Sequence, residues 1–240
     1  MYEERTYRGR VGGKGLTPFT VVVKETDLLI LAERDLSALA LDVVIRHRAQ
    51  LEAYIKLDPV FLKSLIPVKV GLGAPETARR MAKAAGKAGV GPMAAVAGVF
   101  AELVGEALLA ESGEVIVENG GDIFIKTTTP RVVAVFAGDS PISGKVGIRI
   151  SPDDTPLGVC TSSGKVGPSL SLGTAHAACV IAGSAALADA AASAVGNAVK
   201  SPDDIEKGLA VARCIKGVLG AVVVAEDKIG AWGRVELVKL

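Results

Sequence analysis

Residues 114–126 read Glu-Val-Ile-Val-Glu-Asn-Gly-Gly-Asp-Ile-Phe-Ile-Lys, in which two apolar runs flank an Asn-Gly-Gly-Asp turn. β-Branched and aromatic residues favour strands, and glycine supplies the backbone conformations that tight turns need. Glycine also lets backbone amides approach a ligand without interference from a Cβ atom. The stretch therefore predicts two antiparallel strands, joined by a turn that could face a phosphorylated ligand.

The rest of the chain predicts an α+β protein. The strands after residue 114 follow one another through connections too short for the dozen-residue crossovers of parallel pairing, so the sheet should be mainly antiparallel and packed by helices. We expect residues 1–240 to form a single domain with two intimate lobes. Strands are predicted at residues 19–23, 27–31, 132–136, 146–150, 158–161, 177–182, 218–224 and 235–240, and helices at 35–58, 74–88, 93–110, 184–199 and 201–214.

Composition excludes several classes of protein. Half of the 240 residues are hydrophobic, so a large core is available. The net charge of +1 comes from 27 basic and 26 acidic residues without a basic run, which argues against nucleic acid as a partner. The amino terminus is polar, and apolar stretches break before the roughly 18 residues of a membrane span. We expect a cytoplasmic protein without a membrane segment, and edge strands and alanine-lined faces are compatible with a homodimer.

An alanine-rich segment carries Asp189, Ser193 and Asn197 at four-residue spacing. Side chains four apart on a helix share one face, and carboxylate and hydroxyl oxygens are ligands that suit Mg²⁺. The stripe could therefore hold a metal and a phosphorylated ligand. The alternative, equally favoured by the sequence, is that Asp189 caps a neighbouring element and Ser193 bonds back to its own helix.

A second candidate loop follows the strand at 158–161, with the sequence Thr161-Ser162-Ser163-Gly164. Its amides and hydroxyls could line a phosphate or ribose site, and a plain turn is an equally good interpretation. It lacks the Gly-Lys-Ser/Thr ending of a P-loop.

The cysteines and histidines are interpreted as structural. Three cysteines at no metal-ligand spacing predict reduced thiols packed in the core. Cys160 has no base beside it in sequence, which disfavours a nucleophilic role. His47 is predicted to be a surface or capping residue, and His176 a satisfied structural histidine.

Four segments, taken in order along the chain, resemble the successive sequence motifs of ApbE-type FAD:protein FMN transferases. More closely, the chain resembles the short cytosolic branch of that superfamily found in archaea and anaerobic bacteria. The segments are Gly89-Val90-Gly91-Pro92 with the helix after it, Val117-Glu118-Asn119-Gly120-Gly121-Asp122-Ile123, Thr161-Ser162-Ser163-Gly164 and Ala188-Asp189-Ala190-Ala191-Ala192-Ser193.

The resemblance implies two T-fold-like halves with FAD between them and Mg²⁺ near its diphosphate. The metal-side residues would be Asp189 and Ser193. The residues along the flavin nucleotide would be Asn119, Gly120, Gly121 and Asp122, with Thr161, Ser162, Ser163 and Gly164 on the opposing wall.

Two segments depart from the ApbE pattern. Gly91-Pro92-Met93 supplies no lysine where these enzymes carry a Gly-Lys-Gly type turn. These enzymes also carry a His-x-x-Asp-Pro-x-Thr-Gly segment after the Thr-Ser-Gly loop, whereas residues Ser171 to His176 lead directly to a strand and contain no Asp-Pro pair. The resemblance therefore implies binding of a nucleotide or another phosphorylated small molecule, with FMN transfer left open. The alternatives are an accessory protein of sulfur assimilation or homocysteine formation that uses a thiol such as Cys160, and a non-enzymatic scaffold.

Overall fold

The computed structural model describes residue 13, residues 15–164 and residues 172–240. The polar amino terminus considered above lies outside these residues. The strands are β1 (Thr17–Val23), β2 (Thr26–Ala32), β3 (Val115–Asn119), β4 (Asp122–Lys126), β5 (Arg131–Ala134), β6 (Val146–Ile150), β7 (Leu157–Ser162), β8 (Ala177–Ala182), β9 (Val218–Ala225), β10 (Lys228–Gly233) and β11 (Glu236–Lys239). The helices are α1 (Ser37–Leu57), α2 (Pro59–Lys63), α3 (Glu76–Ala88), α4 (Val96–Leu108), α5 (Ala185–Ala198) and α6 (Ile205–Cys214).

The strands form two antiparallel sheets. Eight strands lie in the order β1-β2-β3-β4-β7-β8-β9-β10, and three more lie in the order β11-β6-β5. Strands that follow one another through tight turns pair directly, such as β1 with β2 and β3 with β4. The α+β class with a mainly antiparallel sheet is confirmed.

Both faces of the large sheet are buried along its central strands. Val117, Phe124 and Cys160 belong to the core cluster on the helix side, whereas the neighbouring Ile125 and Val159 pack in a cluster with residues of β6. Successive side chains of a strand point to opposite faces. The large sheet therefore lies between a helical layer and the three-stranded sheet.

Small residues let the central helices pack closely. A Cβ atom on Gly98 of α4 would lie 2.3 Å from the Ala185 carbonyl oxygen of α5, and one on Gly158 of β7 would lie 2.3 Å from the Ala185 Cα atom. Any side chain at these two glycines would separate the elements. The alanine-rich composition of α5 thus serves its contacts with α4 and β7.

Two elements were absent from the sequence prediction. The strand β10 contains two glycines and little alternation of apolar and polar residues, and it forms by pairing with β9 at the sheet edge. The five-residue helix α2 begins at Pro59, directly after α1. Both are short, and tertiary neighbours rather than periodicity specify them.

Two predictions about single residues were wrong. His47 is buried, and its Nδ1 atom lies 3.1 Å from the Thr77 hydroxyl of α3, because α3 packs against this face of α1. Cys214 is exposed, whereas Cys160 and Cys179 are buried as expected, and all three are free thiols.

No single helix in the described ranges is long and apolar enough to cross a membrane; the pair Glu76–Ala88 and Pro92–Leu108 reaches that length only across a bend of 102°. The homodimer stays a prediction. In the described part of the large sheet, β1 and β10 are the edge strands on which such pairing could build.

Candidate functional site

Four elements bring the predicted site residues together. The turn between β3 and β4 lies beside the start of α4, because the Asn119 side-chain amide donates to the Ala97 carbonyl oxygen at 3.1 Å. The strand β7 pairs with β4 so that Cys160 lies opposite Asp122. The helix α5 packs over β7 and against α4. The Asn-Gly-Gly-Asp turn and Asp189 are thereby placed in one region.

The turn itself depends on its two glycines. Gly120 and Gly121 have φ angles of +70° and +100°, which residues with a side chain rarely adopt. The Gly121 amide donates to the buried Glu118 carboxylate at 2.8 Å, which fixes the turn against β3. Gly120 is exposed, so its backbone is open to a ligand.

Asp189 caps the start of α4. Its Oδ2 atom accepts a hydrogen bond of 2.8 Å from the Gly98 amide, in the first turn of that helix. This is the capping role that the sequence left as an alternative to a metal site. Burial raises the pKa of Asp189 to about 7, although the amides of Gly98 and Ala97 act in the opposite direction.

Asp122 is the most unusual polar group of the region. Its side chain is buried, and its Oδ1 atom has no hydrogen-bond partner. Burial and then the negative charge of Asp189 raise the pKa of Asp122 well above its ordinary value, while Cys160 and the Thr161 amide partly oppose the shift. The Asp122 and Asp189 carboxyl groups thus lie in one region that is largely shielded from solvent.

The remaining residues of the α5 stripe have different environments. Ser193 is half-buried one turn after Asp189. Asn197 accepts a hydrogen bond of 2.8 Å from the Leu172 amide, so it fastens the loop that precedes β8. Of the three residues, only Asp189 and Ser193 stay available for a ligand.

The predicted opposing wall lies along the carboxyl-terminal half of α5. A Cβ atom on Gly196 would lie 3.4 Å from the Ser162 hydroxyl oxygen. Thr161, Ser162 and Ser163 are half-buried, and Gly164 donates its amide to the Ala175 carbonyl oxygen at 2.9 Å. The loop therefore borders the same helix as Asp189 and continues into residues 165–171, which lie outside the described ranges.

Metal ligation here would need more than acidic residues. Over residue 13 and the ranges 15–164 and 172–240, no group of three or more His, Cys, Asp or Glu residues is placed to hold a metal ion. A cation at Asp189 would thus depend on hydroxyl or carbonyl oxygens and on oxygens of its ligand.

The buried thiols are poorly suited to nucleophilic chemistry. The Cys160 thiol donates to the Ala185 carbonyl oxygen at 3.4 Å. Burial, followed by the charge of Asp122, raises the pKa of Cys160 well above its ordinary value, and burial raises that of Cys179 to about 11. His176 has the structural role that the sequence predicted, because its Nδ1 atom accepts the Glu226 amide at 3.0 Å.

A separate open groove was not predicted. It has a volume of about 730 Å³ and lies between α1 and the start of α3, with Arg46, His47, Gln50, Tyr54 and Glu76 among its lining residues. No contiguous motif marks it, because two helices contribute its walls. It is distinct from the region around Asp122 and Asp189.

Sequence comparison places the chain among named relatives. A family model described as "AbpE bacteria" matches residues 9–229. A UPF0280 protein of Methanocella arvoryzae is 43% identical over 213 residues, covering 88% of this chain and 86% of the relative. A UPF0280 protein of Methanocaldococcus jannaschii is 42% identical, covering 91% of this chain and 92% of the relative.

Solved structures show the same fold at low sequence identity. The apo form of the flavinyl transferase ApbE of Pseudomonas stutzeri matches with a TM-score of 0.60 and 16% identity, covering 91% of this chain and 94% of that chain. The ApbE protein of Thermotoga maritima matches with a TM-score of 0.59 and 13% identity, covering 90% of this chain and 96% of that chain. By its family-model match and its archaeal relatives, the chain belongs to the UPF0280 branch of the ApbE-like superfamily.

Proposed function

We propose that this protein binds FAD or a related nucleotide together with Mg²⁺, and that Asp189 and Ser193 lie on the metal side of the site. The observation that carries the proposal is the position of the Asp189 carboxylate at the start of α4, beside the Asn119–Asp122 turn. The open backbone of a Gly-Gly turn suits a phosphorylated ligand. The names of the ApbE structural neighbours point to flavin as the nucleotide.

The chemistry of the donors fits magnesium. Carboxylate and hydroxyl oxygens are hard ligands, and Mg²⁺ in proteins takes one or two carboxylates while waters and substrate phosphates complete its shell. Asp189 uses its Oδ2 atom to cap α4, and this contact fixes the carboxylate in place. Ser193 follows one helical turn later on α5.

Different residues of the site would contact different parts of the ligand. The Gly120 and Gly121 backbone would approach the phosphates closely, and the Thr161 and Ser162 hydroxyls would contact the other side of the nucleotide. Asp189 and Ser193 would orient the cation. When bound, Mg²⁺ supplies positive charge that stabilises a leaving phosphate.

The second part of the proposal concerns enzymatic activity. We propose a flavin transferase-related activity, in which a protein hydroxyl would attack the FMN phosphorus of FAD, form a phosphoester bond to FMN and displace AMP as the diphosphate bond breaks. The lysine missing at Gly91-Pro92-Met93 and the missing Asp-Pro pair are groups expected to organise the nucleotide and the acceptor, and a fold can persist when its reaction is lost.

The binding test is a calorimetric titration of FAD with millimolar Mg²⁺ and again with EDTA. We expect FAD binding that depends on Mg²⁺ and that weakens at least about tenfold in Asp189→Asn, since loss of one ligand or its support commonly costs that much metal affinity. Asp203→Asn is the control, because Asp203 is an acid in an exposed pair with Lys228. Equal FAD affinity with Mg²⁺ and with EDTA would refute the metal role.

The activity test separates binding from chemistry. Chromatography of FAD incubated with the protein and Mg²⁺ would detect AMP and FMN, and mass spectrometry would detect FMN on an added threonine-containing acceptor peptide. Nucleotide binding without AMP release would support a binding protein and contradict the transferase.

A further inference from the structure

The Asp122 carboxylate faces the helical layer rather than the turn's solvent side. Residues directly opposite each other in an antiparallel pair lie on the same face of the sheet, and Asp122 is opposite Cys160, whose thiol contacts the Ala185 carbonyl of α5. Phe124, two residues further along β4, lies on that face under Gly105 of α4. Asp122 thus points toward the helices that carry Asp189 and Gly98.

This carboxylate is buried and incompletely bonded. The Asp122 side chain is 8% exposed, and its Oδ1 atom is buried without a hydrogen-bond partner. Buried polar groups are normally hydrogen-bonded, and buried carboxylates are normally paired or coordinate a metal. The unpartnered Oδ1 atom makes the buried Asp122 carboxylate a candidate ligand for a cation.

The charges around Asp122 indicate the sign of an ion that would bind there. The charged groups that act most strongly on Asp122 are Asp189 and then Glu118, and both are acidic. Glu118 is already bonded to the Gly121 amide. A cation would reduce the repulsion within this group, whereas an anion would increase it.

We propose that Asp122 and Asp189 hold one divalent cation between β4 and α5, with Asp122 binding through its Oδ1 atom. The proposal rests on the proposed function, because this cation is the Mg²⁺ that would accompany the nucleotide. It assigns Asp122 to the metal, whereas the resemblance to ApbE-type transferases implied a position for Asp122 along the nucleotide. A site with a carboxylate on a sheet and another on a helix would also tie α5 to β4.

The test uses Mn²⁺ alone as the probe, without nucleotide. Electron paramagnetic resonance of free Mn²⁺ gives the affinity of the unsubstituted protein, of Asp122→Asn and of Asp189→Asn, with Asp203→Asn as the surface control. We expect both site variants to weaken Mn²⁺ binding at least about tenfold and the control to change it less than about twofold. The shift of the unfolding temperature on addition of Mg²⁺ provides a second readout and should be lost in both site variants.

The outcomes distinguish the two proposals. If the unsubstituted protein binds Mn²⁺ and Asp122→Asn binds it equally well, the assignment of Asp122 is wrong while the metal role of Asp189 survives. If the unsubstituted protein binds no Mn²⁺ in the absence of nucleotide, the two-carboxylate site is refuted, whereas the proposed function is decided by the FAD titration, in which the phosphate oxygens of the nucleotide are present. If Asp122→Asn does not unfold cooperatively, Asp122→Ser replaces it, and retention of Mn²⁺ affinity in that variant would equally overturn the assignment.

Discussion

The Asp189 carboxylate of α5 accepts a hydrogen bond of 2.8 Å from the Gly98 amide of α4, and a Cβ atom on Gly98 would lie 2.7 Å from the Asp189 Cβ atom. The cap and the close approach of the helices therefore depend on each other. A side chain at residue 98 would separate α4 from the carboxylate that caps it.

Gly98→Ala should destabilise the protein by about 2 kcal/mol or more, because the added methyl group would meet the Ala185 carbonyl as well as Asp189. Gly86→Ala in α3 is the matched control, since nothing lies within 4 Å of a Cβ atom there. The control should gain about 0.5–1 kcal/mol from the higher helix propensity of alanine. Urea unfolding of both variants measures these differences, and similar values for the two would contradict the packing argument.

Asp189→Ala and Asp189→Asn should differ in stability. Both should keep the fold, but alanine removes the acceptor of the Gly98 amide, whereas asparagine retains a side-chain oxygen. We expect the alanine variant to be about 1 kcal/mol less stable than the asparagine variant, the usual cost of losing a helix cap. Urea denaturation checks this, and equal midpoints would show that the hydrogen bond contributes nothing measurable.

Glu114 should make stability depend on acid pH. Burial opposes ionisation of this carboxyl, but hydrogen bonds from Thr128, Arg131 and Thr127 lower the pKa of Glu114 from 4.5 to about 2. A lowered pKa in the folded state gives stability that is present above about pH 4.5 and is lost as the pH falls toward 2. The Arg131 guanidinium lies 2.8 Å from the Glu114 carboxylate, so this ion pair should weaken over the same range.

The check on Glu114 is the unfolding free energy of Glu114→Gln from pH 7 to pH 2. At pH 7 the variant should be less stable by about 2 kcal/mol, the usual scale for hydrogen bonds to a charged group. The difference from the unsubstituted protein should shrink below pH 4.5. Exposed Asp42, changed to asparagine, is the control and should have little effect. A difference that stayed constant down to pH 2 would contradict the pKa assignment.

The thiols should react in two classes. Cys214 is exposed, while Cys160 and Cys179 are buried and have raised pKa values. Thiolate is the reactive form, so a thiol reagent should label Cys214 in the native protein and the other two only after denaturation. Peptide mass spectrometry identifies the labelled residue. Rapid native labelling of Cys160 would contradict its burial and would favour the sulfur-related alternative.

Much of the architecture follows from local sequence. The alternating apolar runs on both sides of Asn119-Gly120-Gly121-Asp122 specified β3 and β4, and the helical period specified α1 almost to its ends. By contrast, β10 has a weak local signal and depends on β9, and His47 is buried because a distant helix covers it. Edge pairing and helix contacts involve partners that no short window of sequence contains.

The candidate site, like the fold, was predicted in part from local sequence and in part depends on tertiary contacts. The sequence by itself determined the glycine turn, the stripe of Asp189 and Ser193 on α5, and the antiparallel sheet, because turn chemistry and side-chain periodicity act over a few residues. Only the tertiary structure decided that Asp189 caps α4, that Asp122 is buried near it with an unbonded oxygen, and that Asn197 fastens a loop instead of facing a ligand. Solvation and charge repulsion depend on which distant groups meet, and folding alone establishes those neighbours.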